Sequence, residues 1–226
     1  AGDLFLDDYE VTNEEVNKSE VTFVAPCEPS KVVCVGLNYK DHAKEMDLAL
    51  PKEPLLFLKP STSVIGPNEE IHYPSNSEQV EYEGELAIVI GKDANDVAEE
   101  RANDYILGYT CANDVTARDI QFGDGQWTRG KAFDTFCPIG PGIVEQVDFE
   151  NASIELSVDG ETKQRSTLDQ LIFKVPYLVS YISKHMTLKA GDVILTGTPH
   201  GVGPVSRGCT MTVSIEGIGE LSNSIK

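Results

Sequence analysis

Short apolar runs that end at glycine, proline or a polar residue recur along the chain, and they constrain its fold more than any other feature. Each run is too short for a stable helix, and most are rich in valine and isoleucine, which is typical of buried strands. The runs span residues 31–39, 55–59, 84–91, 106–113 and 192–196. Because helices do not alternate strictly with these strands, the pattern predicts an α+β fold that is mostly β-sheet.

Apolar residues at helical spacing predict helices between these strands. Asn38 could cap the first helix, and Pro51 prevents that helix from continuing further along the chain. Pro176 lies inside the last helix and predicts a kink or a break there. The predicted helices span residues 39–47, 94–105 and 168–186, with a shorter helical turn at 116–121.

Glycine-rich and polar stretches mark the predicted turns. Asp159-Gly160 predicts a tight turn that joins residues 154–159 to residues 161–165 in a hairpin. A second hairpin, at residues 210–221, is expected to close the chain. The stretch 122–130 is rich in glycine and polar residues, which favours a loop.

The length of 226 residues suits one main domain, residues 29–226, after a short polar segment, residues 1–28, that contains a strand-like run at 21–25. The 37 acidic and 18 basic residues give a net charge of −19, which disfavours nucleic acid and anionic membranes as partners. This acidity suits either an ordinary acidic protein or one from a salty cytoplasm. Five scattered cysteines without a C-x-x-C pair predict buried thiols in a reducing cytoplasm.

The first group of candidate functional residues is a pair of glutamates at the start of an apolar strand. Side chains alternate faces along a strand, so Glu83 and Glu85 project together while Gly84 faces the other way. A lone pair of this kind is also typical of an edge strand that faces solvent. Asp114, after the apolar run 106–113, would bring a third carboxylate to the strand ends. Three carboxylates indicate a site for a hard cation, Mg²⁺ or Mn²⁺ rather than zinc.

A histidine and a glutamate on the first predicted helix form the second candidate group. His42 and Glu45 are three residues apart, which places them on one helix face with Glu45 able to orient the imidazole. An oriented histidine can act as a general base that activates water. The same spacing also suits a surface histidine on an amphipathic helix, so the pair alone leaves both interpretations open.

Polar residues on either side of the predicted loop 122–130 form a third group. Lys131 lies between that loop and an apolar run, where burial could place its ammonium beside a substrate anion. Arg118 and Gln121 could bind carboxylate or carbonyl oxygens. Solvent-facing cations are the alternative interpretation, and it is stronger for Arg118 than for Lys131. Thr198 lies in a Gly/Pro segment whose backbone could approach a ligand closely or simply connect two strands.

Six segments together resemble the signature blocks of the fumarylacetoacetate hydrolase superfamily, especially its short single-domain members related to acylpyruvate hydrolases, oxaloacetate decarboxylases and 2-hydroxyhepta-2,4-diene-1,7-dioate isomerases. The resemblance runs from about Lys31 to the C-terminus. The segments, in chain order, are VGLNYKDHAKEM, PLLFLKPSTSVIGP, YEGELAIVIGK, GYTCANDVTARDIQ, WTRGKAFDTFCPIGP and ILTGTPHGVGP.

The resemblance implies a mixed β-sandwich roll for the catalytic domain, residues 29–226, and a homodimer. It implies that Mg²⁺ or Mn²⁺ binds Glu83, Glu85 and Asp114, and that His42 with Glu45 activates water. The other residues that match the family's motifs are Lys131 as a catalytic residue and Arg118, Gln121 and Thr198 as substrate-binding residues.

The resemblance also implies a small 2-oxo acid as the substrate. The expected reaction is hydrolysis of a C–C bond in a 2,4-dioxo acid of the acylpyruvate or fumarylpyruvate type, with decarboxylation of oxaloacetate as an additional reaction. Isomerisation or tautomerisation of a 2-hydroxy-dienedioate or of oxaloacetate is the alternative, since all these reactions share an enolate at C3. The His42–Glu45 pair favours C–C cleavage, and it also disfavours a catalytically idle 2-oxo-acid-binding protein.

Overall fold

The strands observed in the computed structural model confirm the prediction of a mostly β fold. The structure describes Gly2, Asp3, Phe5, Asp8, Tyr9 and residues 15–226. Its strands are β1 Gly2–Asp3, β2 Asp8–Tyr9, β3 Lys31–Gly36, β4 Leu55–Pro60, β5 Val64–Ile65, β6 Val80–Tyr82, β7 Gly84–Ile90, β8 Ile106–Asn113, β9 Thr116–Ala117, β10 Cys137–Val144, β11 Ser153–Val158, β12 Glu161–Thr167, β13 Val193–Leu195, β14 Gly203–Pro204, β15 Thr210–Ile215 and β16 Gly219–Ser224. Its α-helices are α1 Lys40–Glu45, α2 Arg118–Asp124, α3 Thr128–Lys131 and α4 Val175–His185.

Strand β7 lies at the centre of a seven-stranded mixed sheet with the order β4-β3-β13-β7-β8-β10-β5. Every residue of β7 is buried, and its apolar side chains serve two cores. Leu86, Ile88 and Ile90 belong to the larger core, which the four-stranded sheet β12-β11-β15-β16 and helix α4 also line. Ala87 and Val89 belong to a smaller core on the opposite face. Burial on both faces explains why this run is apolar throughout.

Two of the predicted helices need correction. Residues 94–105 do not form an α-helix, because Ala94 pairs with Leu188 in a β-bridge and only Glu99–Tyr105 turns, as a 3-10 helix. The predicted helix 168–186 is broken at Pro176 rather than kinked, because α4 begins only at Val175 and Pro176 lies in its first turn. Proline is tolerated there because its missing N–H has no partner in the helix. The residues before it form a separate 3-10 turn, Leu168–Gln170.

Asn38 does not cap helix α1, since Tyr39 takes that position. The buried side chain of Asn38 instead holds two distant segments together. Its amide nitrogen donates to the Thr196 carbonyl oxygen at 2.7 Å, and its amide oxygen accepts from the Phe173 backbone N–H at 2.7 Å. The segment before α1 is therefore fixed to the end of β13, which positions the helix.

The turn predictions were mostly right. The hairpin at Asp159-Gly160 is confirmed as β11 and β12, and the last hairpin as β15 and β16. The loop predicted at 122–130 is wrong at both ends, since α2 continues to Asp124 and α3 begins at Thr128. The strand-like run 21–25 has no strand structure. All five cysteines are buried and free, as predicted.

Buried Asp192 joins the starts of the neighbouring parallel strands β3 and β13. Its carboxylate accepts from the backbone N–H of Ser30 at 2.9 Å and of Lys189 at 2.8 Å, and it pairs with the Lys31 ammonium. Burial alone would raise the pKa of Asp192, but these hydrogen bonds outweigh it, and the pKa lies below its ordinary value of 3.8. The ionised carboxylate thus stabilises the folded state.

We expect Asp192→Asn to lower the free energy of unfolding by about 2 kcal/mol at neutral pH, because charge-assisted hydrogen bonds are lost. The pKa of this carboxyl is lower in the folded state, so its contribution is present above the ordinary pKa and disappears as pH falls through the folded value. Urea unfolding at neutral pH and at about pH 3 should therefore show a difference that shrinks in acid. Asp93→Asn, which removes an exposed ion pair with Lys189, is the control and should change little. An equally stable Asp192→Asn protein would contradict this account.

Candidate active site

Three carboxylates meet at the ends of the central strands, where the sequence predicts them. Glu83 and Glu85 flank the first residue of β7, and Asp114 follows β8, which pairs with β7 so that Gly84 lies opposite Asn113. All three are buried, and one oxygen of each lies within 4.8 Å of the others. Gly84 faces the other way and packs closely on the four-stranded sheet, where an added Cβ would lie 3.1 Å from the Leu156 Cβ. These contacts place both glutamates on one face.

Buried cations surround the carboxylates. Lys131 Nζ lies 2.8 Å from Glu83 Oε2 and 2.8 Å from Asp114 Oδ2. Arg118 Nη2 donates to Glu83 Oε1 at 2.6 Å. Lys59, fully buried beneath the site, donates to Asp114 and, at 3.0 Å, to the backbone carbonyl oxygen of Val115. Each of these cations has at least one carboxylate partner.

The pKa values show that these cations stabilise the ionised form of Glu83 but not that of Glu85. Burial alone would raise the pKa of Glu83, but Lys131 and Arg118 outweigh it and lower the value to about 2. Burial and the charges of Asp114 and Glu83 raise the pKa of Glu85 well above its ordinary range. Burial lowers the pKa of Lys131, yet Asp114 and Glu83 more than compensate, so Lys131 keeps its proton.

The surroundings of Glu85 show whether this group of residues fits a metal ion. In the described part of the chain, its carboxylate accepts one hydrogen bond, from the Gly197 N–H at 2.6 Å, and has no cationic side chain in contact. A buried carboxylate without a cation is costly, and a divalent ion beside it would supply the missing charge. Three carboxylates that converge from two strands form the oxygen-rich donor set that Mg²⁺ and Mn²⁺ prefer. The residues therefore fit a hard divalent cation.

The predicted His42–Glu45 pair forms on helix α1. His42 Nδ1 lies 3.0 Å from Glu45 Oε2, and Glu45 also accepts from the Gly201 N–H at 3.1 Å. Asp41, at the start of the same helix, accepts from Ser166 and lies 3.2 Å from His200 Nδ1. Helix α1 is thereby held against β12 and the loop after β13, and the second imidazole nitrogen of His42 has no hydrogen-bond partner in the described part of the chain.

One cavity of about 410 Å³ contains both groups, with His42 and the carboxylates in its wall. Arg118, Gln121, Lys131 and Thr198 line it as well, so every predicted site residue except Glu45 contributes directly. Arg118 donates to the side-chain oxygen of Gln121 at 2.6 Å, which leaves the Gln121 NH₂ group for a ligand. The Thr198 hydroxyl donates to the Gly84 carbonyl oxygen at 3.0 Å and accepts from Gln164, so it fixes the loop after β13.

Two charged residues of the site are absent from the sequence prediction. Lys59 pairs with Asp114, and Glu81 accepts from Arg118 Nε at 2.7 Å. Strand alternation could have found both, since Lys59 shares a strand face with buried Phe57 and Glu81 shares one with Glu83. The sequence shows the face of each side chain but not its charge partner across the sheet.

Comparison with known proteins finds one matching family and several similar structures. Residues 31–226 match the fumarylacetoacetate (FAA) hydrolase C-terminal family. A 5-carboxymethyl-2-hydroxymuconate delta-isomerase structure from Mycobacterium smegmatis is 48% identical, with 95% of this chain and 85% of that chain covered and a TM-score of 0.89. A fumarylpyruvate hydrolase structure from Pseudomonas aeruginosa, in complex with Mn²⁺ and pyruvate, is 43% identical, with 86% and 88% covered and a TM-score of 0.80.

A curated relative is named for a third activity. The mitochondrial oxaloacetate tautomerase fahd2 of Xenopus laevis is 42% identical over 223 residues, which cover 93% of this chain and 70% of the relative. Isomerase, hydrolase and tautomerase thus all occur among proteins similar to this one. With the family match over 31–226, the conclusion is that this chain belongs to the fumarylacetoacetate hydrolase family.

Proposed function

We propose that this family member is a divalent-metal-dependent hydrolase that cleaves the C3–C4 bond of a small 2,4-dioxo acid. The observation that carries the proposal is the His42–Glu45 pair, with His42 in the wall of the cavity that contains the three carboxylates. A hydrolase needs a base that activates water, whereas a protein that only binds 2-oxo acids needs no such base. The three carboxylates would supply the metal-binding part of the same site.

The residues at the floor of the cavity bind and orient the substrate. Glu83, Glu85 and Asp114 would hold Mg²⁺ or Mn²⁺, and the bound ion would polarise the 2-oxo group and make pyruvate a better leaving group. Lys131 uses two ammonium N–H groups for Glu83 and Asp114, so the third can donate to a substrate oxygen. The NH₂ group of Gln121, which has no hydrogen-bond acceptor in the described part of the chain, can donate to the substrate carboxylate.

His42 supplies the proton transfers. Oriented by Glu45, it takes a proton from water, whose oxygen bonds to the C4 carbonyl carbon. The C3–C4 bond then breaks, its electron pair goes to C3, and the proton on His42 can pass to that carbon. The products are pyruvate and the carboxylic acid of the acyl group, so one water is consumed for each bond broken.

Tautomerisation of oxaloacetate is the second candidate function. The relatives named as an oxaloacetate tautomerase and as a muconate isomerase support it, at 42% and 48% identity. Such a reaction moves a proton between carbon and oxygen and consumes no water. His42 could carry that proton alone, and the role of Glu45 would then be limited to holding the imidazole.

We expect the purified chain with Mn²⁺ to release pyruvate and acetate in equal amounts from acetylpyruvate. EDTA should lower this rate at least about a hundredfold, because the polarising ion is worth several kcal/mol, and added Mn²⁺ should restore it. Lactate dehydrogenase coupling measures the pyruvate, and a boiled sample is the control. Accelerated oxaloacetate tautomerisation without pyruvate from any 2,4-dioxo acid would replace the hydrolase proposal with the second candidate.

A further inference from the structure

We propose that the cavity selects a 2-oxo acid whose far end is an uncharged, apolar chain rather than a second carboxylate. The inference rests on the proposed function for the position of the substrate's 2-oxo acid end, which would lie at the carboxylate cluster. The lining of the remaining cavity and the charges around it carry the rest of the argument.

The cavity changes from polar to apolar between its floor and its mouth. The floor consists of buried charged groups, including Glu83, Glu85 and Lys131. The mouth consists of large apolar side chains that remain well exposed: Met46 at 49%, Leu48 at 51%, Leu55 at 49% and Phe122 at 73%. Single exposed apolar residues are ordinary, but several around one cavity form a surface that gains from being covered.

Aromatic side chains connect the floor to this mouth. The Phe57 ring lies 5.1 Å from Lys131 Nζ, and its centroid lies 5.3 Å from that of Trp127 in an edge-to-face contact. Gly36 makes room for the indole, because a Cβ there would lie 2.6 Å from a Trp127 ring carbon. A chain that leaves the carboxylate cluster therefore meets a continuous apolar wall.

A second carboxylate at the mouth would find no unpaired arginine or lysine among the described residues that line the cavity. Within the described part of the chain, Arg118 and Lys131 are the only arginine and lysine side chains that line the cavity, and both already contact glutamates at the floor. Glu81 also lines the cavity and takes up a further part of the Arg118 guanidinium, and Glu45 lies behind His42. Burying an unpaired carboxylate there would be unfavourable.

The test measures binding of 2-oxo acids that have no C4 carbonyl and so cannot undergo the proposed cleavage. Calorimetry of the full chain with Mn²⁺ would compare 2-oxooctanoate with 2-oxooctanedioate, which has the same length and a terminal carboxylate. We expect the monoacid to bind at least about tenfold more tightly. Affinity should also rise from 2-oxobutanoate to 2-oxooctanoate, by up to about fourfold for each methylene that becomes buried.

Two arginine substitutions on one strand separate a local effect from a general change in charge. Leu55→Arg places a cation at the mouth and should reverse the preference in favour of the dioate. Leu58→Arg adds the same charge on the opposite face of β4, outside the cavity, and should leave the preference unchanged. Trp127→Ala should flatten the dependence of affinity on chain length.

Equal or tighter binding of the dioate by the unaltered chain would overturn the inference, and so would failure of both acids to bind. A Leu55→Arg protein that still favours the monoacid would also contradict it. The outcome is distinct from that of the proposed function: a monoacid preference without acetylpyruvate cleavage refutes the hydrolase alone. Cleavage of acetylpyruvate without that preference refutes the apolar specificity alone.

Discussion

Replacing Glu85 by glutamine is expected to abolish Mn²⁺ binding and lower kcat/KM about a thousandfold, without destabilising the metal-free protein. The reason is the isolation of Glu85: its carboxylate is buried and accepts a hydrogen bond from Gly197, but no cationic side chain contacts it in the described chain. Glutamine keeps the acceptor oxygen and is uncharged, as the raised pKa favours for the Glu85 carboxyl when no metal is bound. Calorimetry with Mn²⁺ and thermal unfolding in EDTA measure the two effects.

Glu83→Gln is the matched comparison, because Glu83 has the cation partners that Glu85 lacks. Its carboxylate binds Lys131 and Arg118, so its neutralisation leaves two buried cations with fewer partners. We expect this variant to lose Mn²⁺ and also about 3 kcal/mol of stability in EDTA. Undiminished Mn²⁺ affinity in Glu85→Gln would exclude Glu85 as a ligand, and a lower melting temperature in EDTA would refute the charge argument.

The sequence was sufficient for the parts of this site that depend on strand alternation. Glu83 and Glu85 share a face because they are two residues apart on a strand, and the central position of that strand follows from apolar residues on both of its faces. Asp114 joins them because β8 is the next long strand along the chain and pairs with β7 in an antiparallel hairpin. Each step uses only local periodicity and the pairing of successive strands.

The sequence-based predictions failed for residues whose contacts lie far away along the chain. Asn38 looks like a helix cap, yet its side chain bonds Thr196 and Phe173, more than a hundred residues away. Strand β10, Cys137–Val144, contains two prolines and two glycines, which obscure the bounds of a strand in the sequence, and β8 supplies its partner. Lysine is usually exposed, but Lys59 is buried because it pairs with Asp114. Local propensity is outweighed in each case by a tertiary contact.

Helix α1 shows why sequence alone could not separate a catalytic histidine from a surface one. Six residues are too few for a stable isolated helix, so its position depends on what it contacts. Asp41 binds Ser166 of β12, and Glu45 binds the Gly201 N–H in the loop after β13. These contacts turn His42 into the cavity, where its side chain is 14% exposed although the helix lies at the surface.

The substitution His42→Ala should therefore reduce acetylpyruvate hydrolysis about a thousandfold, which is within the range for loss of a general base. The dissociation constant for Mn²⁺ should change less than about threefold, since His42 contacts none of the three carboxylates. Glu45→Gln should have a smaller effect, because the amide can still hold the imidazole but no longer stabilises its protonated form.

His72→Ala, which removes an exposed histidine outside the cavity, should leave both activity and Mn²⁺ affinity unchanged. Pyruvate release and calorimetry with Mn²⁺ on the same preparations keep chemistry and metal binding apart. If His42→Ala lost Mn²⁺, the histidine would belong to the metal site rather than to water activation. If it kept full hydrolytic activity, the base would have to be another group, and the strongest support for hydrolysis over tautomerisation would be gone.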